Sequence, residues 1–158
     1  MWMAPNLVTL IGLFFNLTSF FLYLAYDLSL SKQLPPYFYV WTAICLFVYQ
    51  TLDAIDGKQA RRTGTSSPLG QLFDHGIDAL TTCLNAYVPL QIFKIGPDTP
   101  TFYVYMIGLM GVFFTANWEE YHLEVLRCSM TMFGIKSGLT ETQLLLIFLV
   151  AIEGLSFG

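Results

Sequence analysis

Charged residues are scarce in this chain, and their scarcity excludes most soluble protein classes. Asp, Glu, Lys and Arg together make up 11% of the 158 residues, whereas hydrophobic residues make up 55%. A soluble domain carries about 25% charged residues. No basic patch with interleaved aromatic residues is present, so no nucleic-acid partner is expected. The composition predicts a membrane protein.

The sequence also lacks the cysteine spacing of a metal or redox site and the features of a cleavable signal peptide. Cys45, Cys83 and Cys128 are far apart and form no C-x-x-C pair, so they are interpreted as small buried hydrophobic residues rather than zinc ligands or redox centres. No basic segment precedes the first apolar run, which is long enough to cross a bilayer. That run is therefore predicted to be a membrane span.

Five apolar segments follow one another, separated by polar or proline-containing loops. They cover residues 6–26, 37–52, 69–93, 101–124 and 141 onward. The pattern predicts an all-α fold, a polytopic transmembrane helical bundle with about five spans. We expect one membrane domain over residues 1–158, which is a fragment of a longer protein because the sequence stops inside the fifth apolar run.

The distribution of basic residues predicts the orientation of the bundle. Two lysines, Lys32 and Lys94, lie in the loops on one side, and the other side carries Lys58, Arg61, Arg62, Arg127 and Lys136. Cytoplasmic loops are enriched in Lys and Arg. The second side is therefore expected to face the cytosol.

Acidic residues are concentrated between Asp53 and Asp78, at this predicted cytosolic side. On a helix with 100° per residue, an arc of about 140° contains Asp53, Asp56, Gly57, Ala60 and Arg61. On a second helix, a single line at intervals of four residues contains Gly70, Asp74 and Asp78. Two neighbouring helices are thus predicted to present two carboxylates each.

Four carboxylates in one place repel one another unless a cation lies between them. All-oxygen ligand sets suit hard ions such as Mg²⁺ or Mn²⁺. Two acids from each of two helices are sufficient for a site with two ions, which is a suitable arrangement for phosphoryl transfer. Asp53, Asp56, Asp74 and Asp78 are therefore the candidate metal ligands.

Small residues and one arginine extend this metal site into a candidate substrate site. Gly57 and Ala60 leave room for a diphosphate beside the helix, and Arg61 can bind it with two parallel hydrogen bonds. The predicted substrate is a phosphorylated cytosolic molecule. A lipid is the predicted acceptor because the site is built into a bilayer.

Three further polar features each have two interpretations. His75 is either an interface histidine with satisfied hydrogen bonds or a general base, and Asn6 is by default a helix cap. A third group lies near the end of the fourth span, where it forms either a solvated helix end with an aromatic belt or a cation-recognition site. This group contains Trp118, Glu119, Glu120 and Tyr121.

At these residues the sequence resembles the CDP-alcohol phosphotransferase family, whose signature is D-x2-D-G-x2-A-R-x8-G-x3-D-x3-D. All fixed positions are present: Asp53, Asp56, Gly57, Ala60, Arg61, Gly70, Asp74 and Asp78. The segments WMAPNL, TLDAIDGKQARRT and SSPLGQLFDHGID are similar to the eukaryotic choline/ethanolaminephosphotransferase branch over nearly the whole chain.

The resemblance implies a metal-dependent transferase. It implies transfer of phosphocholine or phosphoethanolamine from CDP-choline or CDP-ethanolamine to 1,2-diacylglycerol, with release of CMP. It also assigns roles: the four aspartates hold two Mg²⁺ or Mn²⁺ ions, and His75 deprotonates the acceptor, whereas other branches use the last aspartate, Asp78. The residues assigned to the CDP-alcohol are Asn6, Gly57, Ala60, Arg61 and Gly70.

The resemblance further implies a full-length protein of about ten spans, a homodimer, in the endoplasmic reticulum or Golgi membrane with its site facing the cytosol. Two alternatives stay open. One is another CDP-alcohol reaction, such as transfer of inositol or glycerophosphate onto CDP-diacylglycerol. The other is a divalent-cation transporter, which has no use for Gly57, Ala60 and Arg61 beside the acids.

Overall fold

The protein, represented by a computed structural model, is described at residues 3–123, 129–132 and 135–156, with side chains at 3–118, 121–122 and 142–156. Within these ranges five helices form the fold: α1 (Pro5–Tyr26), α2 (Pro36–Thr63), α3 (Pro68–Ile92), α4 (Pro100–Leu123) and α5 (Leu139–Ser156). Strands β1 (Ser129–Met132) and β2 (Ile135–Gly138) pair antiparallel between α4 and α5. The prediction of five helices is confirmed, and the short β-ribbon is an addition to it.

Proline defines the start of the first four helices. Pro5, Pro36, Pro68 and Pro100 each stand at a helix beginning, where the missing N–H would have no helical acceptor and the fixed φ angle suits the first turn. The second helix then continues without a break through the acidic motif to Thr63. The prediction that Asp53 and Asp56 lie on a helix is therefore confirmed.

A tight turn joins α2 to α3 at the predicted position. Gly64 ends α2 in the left-handed conformation with φ 65°, which glycine adopts without steric cost. Ser67 then caps α3, because its hydroxyl accepts a hydrogen bond from the Gly70 N–H at 3.1 Å. This short connection places the end of α2 beside the start of α3, and with it the two acidic segments.

The helices pack mainly around α2, which contacts α1 and α5, while α3 contacts α1 and α4. The largest cluster of buried apolar side chains joins α1, α2, α3 and α5 near the start of α2 and the end of α3. It contains Tyr23, Leu34, Tyr39, Ala43, Leu46, Val88 and Val150. The hydrophobic core and the acidic segments therefore lie at opposite ends of the bundle.

Two of the described helices, α1 and α2, are long and apolar enough to cross a membrane, and the apolar part of α5, Thr142–Ser156, is shorter. Helix α3 carries Asp74, His75 and Asp78 in its first half, which lowers its mean hydropathy. The predicted count of five spans is thus supported at two helices and stays a prediction for the rest. The outer faces are apolar: Phe14 on α1 and Phe47 on α2 are 63% and 56% exposed.

The loop after α1 is organised by one carboxylate. Asp27 accepts hydrogen bonds from the Ser29 hydroxyl at 2.6 Å and from the backbone N–H groups of Ser29, Ser31 and Lys32 at 3.0, 2.8 and 2.7 Å. These bonds, the Ser29 hydroxyl first, lower the pKa of the Asp27 carboxyl to about 2. The charged form of Asp27 therefore stabilises the turn that leads into α2.

Replacing Asp27 with Asn is expected to lower the melting temperature at neutral pH, because an amide cannot accept all four bonds on two anionic oxygens. The folded-state pKa is depressed, so the stabilisation is complete above the unfolded pKa of about 3.9 and is lost as the pH falls towards about 2. Thermal unfolding of both proteins over this pH range should show the difference shrinking. Asp98→Asn, at an exposed position in the α3–α4 loop, is the matched control.

Candidate functional site

The ends of α2 and α3 bring three carboxylates together. One carboxylate oxygen from each of Asp53, Asp56 and Asp74 lies within 4.8 Å of the others. Asp53 and Asp56 are one helical turn apart on α2, and Asp74 faces them from the first turns of α3. The predicted meeting of acids from two helices is therefore seen in the fold for three of the four aspartates.

Helix α1 contributes a hydroxyl to this cluster. The Thr9 hydroxyl donates a hydrogen bond of 2.7 Å to Oδ2 of Asp56, and both side chains are buried. The bond occupies one carboxylate oxygen and fixes the rotamer of Asp56. A neutral donor thus holds the most buried acid of the cluster from a third helix.

The fourth acid, Asp78, lies one turn further along α3 and has its own hydroxyl partner. The Tyr49 hydroxyl donates to Oδ1 of Asp78 at 2.6 Å. Asp78 is also close enough to interact with Asp53, Asp56 and His75. The site is therefore a group of three acids with a fourth held beside it.

The donor set suits a hard divalent cation. All three grouped ligands are carboxylate oxygens, the type that Mg²⁺ and Mn²⁺ prefer. Among the described residues, Oδ1 of Asp74 is buried without a hydrogen-bond partner, and a cation would satisfy it. These three acids fit one ion directly, and a second ion that uses Asp78 stays a prediction.

A pocket of about 1360 Å³ opens beside the acids, between the start of α1, the end of α2 and the start of α3. Most of the site residues named from the sequence line it: Asn6, Asp56, Gly57, Ala60, Arg61, Gly70, Asp74 and His75. Asp53 and Asp78 do not line it; each lies one helical turn from the pocket-lining acid of its helix, towards the hydrophobic core. The pocket wall therefore combines carboxylates, a guanidinium and a histidine.

Two glycines keep this pocket open. A side chain on Gly57 would begin 3.8 Å from Nη1 of Arg61, which lies back over the same stretch of helix. A side chain on Gly70 would begin 3.3 Å from the Ser67 hydroxyl and 3.8 Å from Oδ1 of Asn6. At both positions the absence of a side chain therefore leaves space in the pocket beside the neighbouring polar groups.

Asn6 has a different position from the one its default interpretation gave it. The cap residue of α1 is Ala4, and the helix begins at Pro5, so Asn6 is inside the first turn and does not cap the helix. Its amide oxygen instead approaches Gly70 across the α1–α3 contact. The prediction of a helix cap is wrong, and the side chain faces the pocket.

Trp118 and Tyr121, the two residues of the α4 group whose side chains are described, do not line the pocket. Trp118 is 58% exposed and lies between Phe114 and His122, with ring centroids 6.0 and 4.7 Å away. Tyr121 is 81% exposed, and the side chains of Glu119 and Glu120 lie outside the described part of the chain. A headgroup contact by these four residues stays a prediction.

Three functional candidates were missed in the sequence: Thr9, Tyr49 and Thr81. Each has helical spacing to a residue that was recognised, since Thr9 is three after Asn6, Tyr49 is four before Asp53, and Thr81 is three after Asp78. They were missed because hydroxyl groups are common in apolar spans. The spacing was the available signal.

Comparison with known proteins gives a family match over almost the whole chain. The family model described as CDP-alcohol phosphatidyltransferase matches residues 2–156. Cholinephosphotransferase 1 of Homo sapiens is 40% identical over 153 residues, covering 97% of this chain and 36% of the relative. The Bos taurus protein of the same name is 41% identical over 155 residues, with the same two coverages.

A third relative has a less specific name. The "Uncharacterized CDP-alcohol phosphatidyltransferase class-I family protein 2" of Dictyostelium discoideum is 41% identical over 155 residues, covering 98% of this chain and 36% of the relative. The chain therefore spans about a third of the length of these relatives.

The Thr9 contact generates a test of the cation site. Thr9→Val keeps the side-chain shape but removes the donor to Asp56, so Asp56 loses its fixed orientation. We expect the full-length protein to bind Mn²⁺ about 10- to 100-fold more weakly, as measured by electron paramagnetic resonance titration. Thr18→Val, on the same helix but bonded to the Phe15 carbonyl, is the control. Unchanged affinity in Thr9→Val would contradict the arrangement.

Proposed function

The chain belongs to the CDP-alcohol phosphatidyltransferase family, and from this premise we propose that its full-length protein transfers phosphocholine or phosphoethanolamine from the CDP ester to 1,2-diacylglycerol. The products are phosphatidylcholine or phosphatidylethanolamine and CMP. The observation that carries the proposal is the grouping of three carboxylates at a pocket that Arg61 and His75 also line.

The size and lining of the pocket support a nucleotide diphosphate donor. Its volume of about 1360 Å³ is above the range of about 300–1,000 Å³ typical of small-ligand sites. Arg61 offers a planar donor fork that suits a diphosphate, and Gly57 beneath it leaves room for close approach. Asn6 and Gly70 border the same space from α1 and α3. The donor thus has a polar wall with a positively charged arginine beside the acids.

The acids provide the other half of the proposed site. Asp53, Asp56 and Asp74 would hold Mg²⁺ or Mn²⁺, with Asp78 completing a two-ion site. The bound ions would offset the charge of the transferring phosphate and of the departing CMP. The hydrogen bond from Thr9 keeps Asp56 in place before any ion or substrate arrives.

His75 is the proposed general base. It lines the pocket beside Asp74 and stands in the sequence between Asp74 and Asp78. His75 takes the proton of the diacylglycerol hydroxyl while that oxygen forms a bond to the β-phosphorus; the bond from this phosphorus to the bridging oxygen breaks and CMP leaves. Asp78, the other candidate base, does not line the pocket and accepts a hydrogen bond from the Tyr49 hydroxyl.

The relatives' names support choline as the headgroup, and ethanolamine rests on the sequence motifs similar to the choline/ethanolaminephosphotransferase branch. Two of them are named cholinephosphotransferase 1, and a third at the same identity has no named substrate. Diacylglycerol and the surrounding membrane lipid are the proposed acceptor and environment, in the endoplasmic reticulum or Golgi with the pocket facing the cytosol. A homodimer is the proposed state of the full-length protein.

The direct test uses the full-length protein in membranes with labelled CDP-choline or CDP-ethanolamine, diacylglycerol and Mn²⁺ or Mg²⁺. Label should enter lipid, EDTA should abolish the transfer because the carboxylates then lack their cation, and added Mn²⁺ should restore it. Transfer of neither headgroup would refute the proposal. Parallel reactions with CDP-diacylglycerol and labelled inositol or glycerophosphate test the alternative reactions of the family.

A second test concerns His75. His75→Ala should reduce turnover by about 100-fold or more, because general-base catalysis contributes about 10²- to 10⁴-fold, while binding of CDP-choline stays close to the wild-type value. Radiolabelled binding and transfer assays measure the two quantities. His122→Ala, at the end of α4 and outside the pocket lining, should behave as wild type. Wild-type turnover in His75→Ala would remove His75 from the mechanism.

A further inference from the structure

One buried tyrosine next to the acids has no role in the chemistry described so far. Tyr49 lies on α2 one helical turn before Asp53 and is 3% exposed. Its hydroxyl donates to Oδ1 of Asp78 on α3 at 2.6 Å, the short distance typical of a hydrogen bond to a charged acceptor. The contact therefore links the two acidic helices at the level of the deepest carboxylate.

The Tyr49 hydroxyl is itself fixed by a second hydroxyl. Oγ1 of Thr81 donates to the Tyr49 oxygen at 2.8 Å, and Thr81 is 2% exposed. Because a tyrosine hydroxyl has a single proton, accepting from Thr81 directs that proton towards Asp78. Thr81 and Asp78 lie on the same face of α3, so both partners of the tyrosine belong to one rigid element.

The ring of Tyr49 is held from a third helix. A side chain on Gly12 of α1 would begin 3.1 Å from Cδ2 of Tyr49, which is closer than most packed carbon atoms allow. The ring consequently lies directly against the α1 backbone. Three helices determine its position: α2 carries it, α1 supports its face, and α3 receives its hydroxyl.

From these contacts we propose that Tyr49 is a positioning residue, which holds Asp78 in the orientation that the metal centre requires. One oxygen of Asp78 is committed to Tyr49, which leaves the other for the cluster. Asp78 is outside the group of three acids whose oxygens lie within 4.8 Å of one another, so its orientation depends on contacts of its own. The inference rests on the proposed function and adds to it the residue that holds Asp78 in place.

The test is Tyr49→Phe, which removes the hydroxyl and keeps the ring against Gly12. Mn²⁺ binding to the full-length protein should weaken by about 10- to 100-fold, the usual cost of losing a residue that orients a metal ligand. The melting temperature without metal should change little compared with this loss. Tyr39→Phe, which alters a tyrosine 1% exposed in the remote core of the same helix, is the matched control and should bind Mn²⁺ as wild type.

Thr81→Val provides a second variant, with a smaller loss of Mn²⁺ affinity in the same direction, and it carries the test if Tyr49→Phe does not fold. Unchanged Mn²⁺ affinity in Tyr49→Phe, or an equal loss in Tyr39→Phe, would overturn the inference. Mn²⁺ binding is measured without substrate. A protein that binds Mn²⁺ in a Tyr49-dependent way but transfers no headgroup would therefore refute the proposed function and leave this inference standing.

Discussion

Repulsion between carboxylates is the constraint on which the rest of the structure depends. Two full charges at the 4.8 Å limit of the group repel by roughly 3.5 kcal/mol at an effective dielectric of about 20. The chain surrounds the acids with hydrogen-bond donors instead of dispersing them: a hydroxyl from α1 on Asp56 and a hydroxyl from α2 on Asp78. These contacts reduce the repulsion, and a divalent cation would remove most of what is left.

The hydrophobic core lies apart from the cluster of acids, so the acids do not interrupt the apolar packing that stabilises the bundle. The cluster around Tyr39 and Val88 lies at the far end of α2 and α3, so the apolar packing that holds the bundle together is separate from the polar packing that shapes the site. The turn at Gly64 and the cap at Ser67 then fix how the polar ends of the two helices meet. The apolar packing of the core and the charges of the site are therefore in separate parts of the bundle.

Much of this site was predictable because its chemistry depends on charged residues, which are rare in so apolar a chain. Asp53, Asp56 and Asp74 are conspicuous in an apolar chain, and helical spacing alone predicts that two neighbouring helices present them. Thr9, Tyr49 and Thr81 were not predictable in the same way, since their roles depend on which helix faces which, and one-dimensional spacing does not contain that information. Asn6 was misassigned for a different reason: asparagine is a common cap residue, but the preceding Pro5 already starts the helix. The span count depends on α3, whose site residues reduce the apolar signal that marks a span.

Gly12 has a consequence for how natural variation in this chain is interpreted. It lies on α1, carries no functional group and does not line the pocket, yet the ring that touches it is the one bonded to Asp78. A larger residue there would push that ring rather than open a void, and the displacement would be felt at a carboxylate on another helix. A substitution at Gly12 would therefore look like a packing defect from its position, while its biochemical effect would be that of a mutation in the active site.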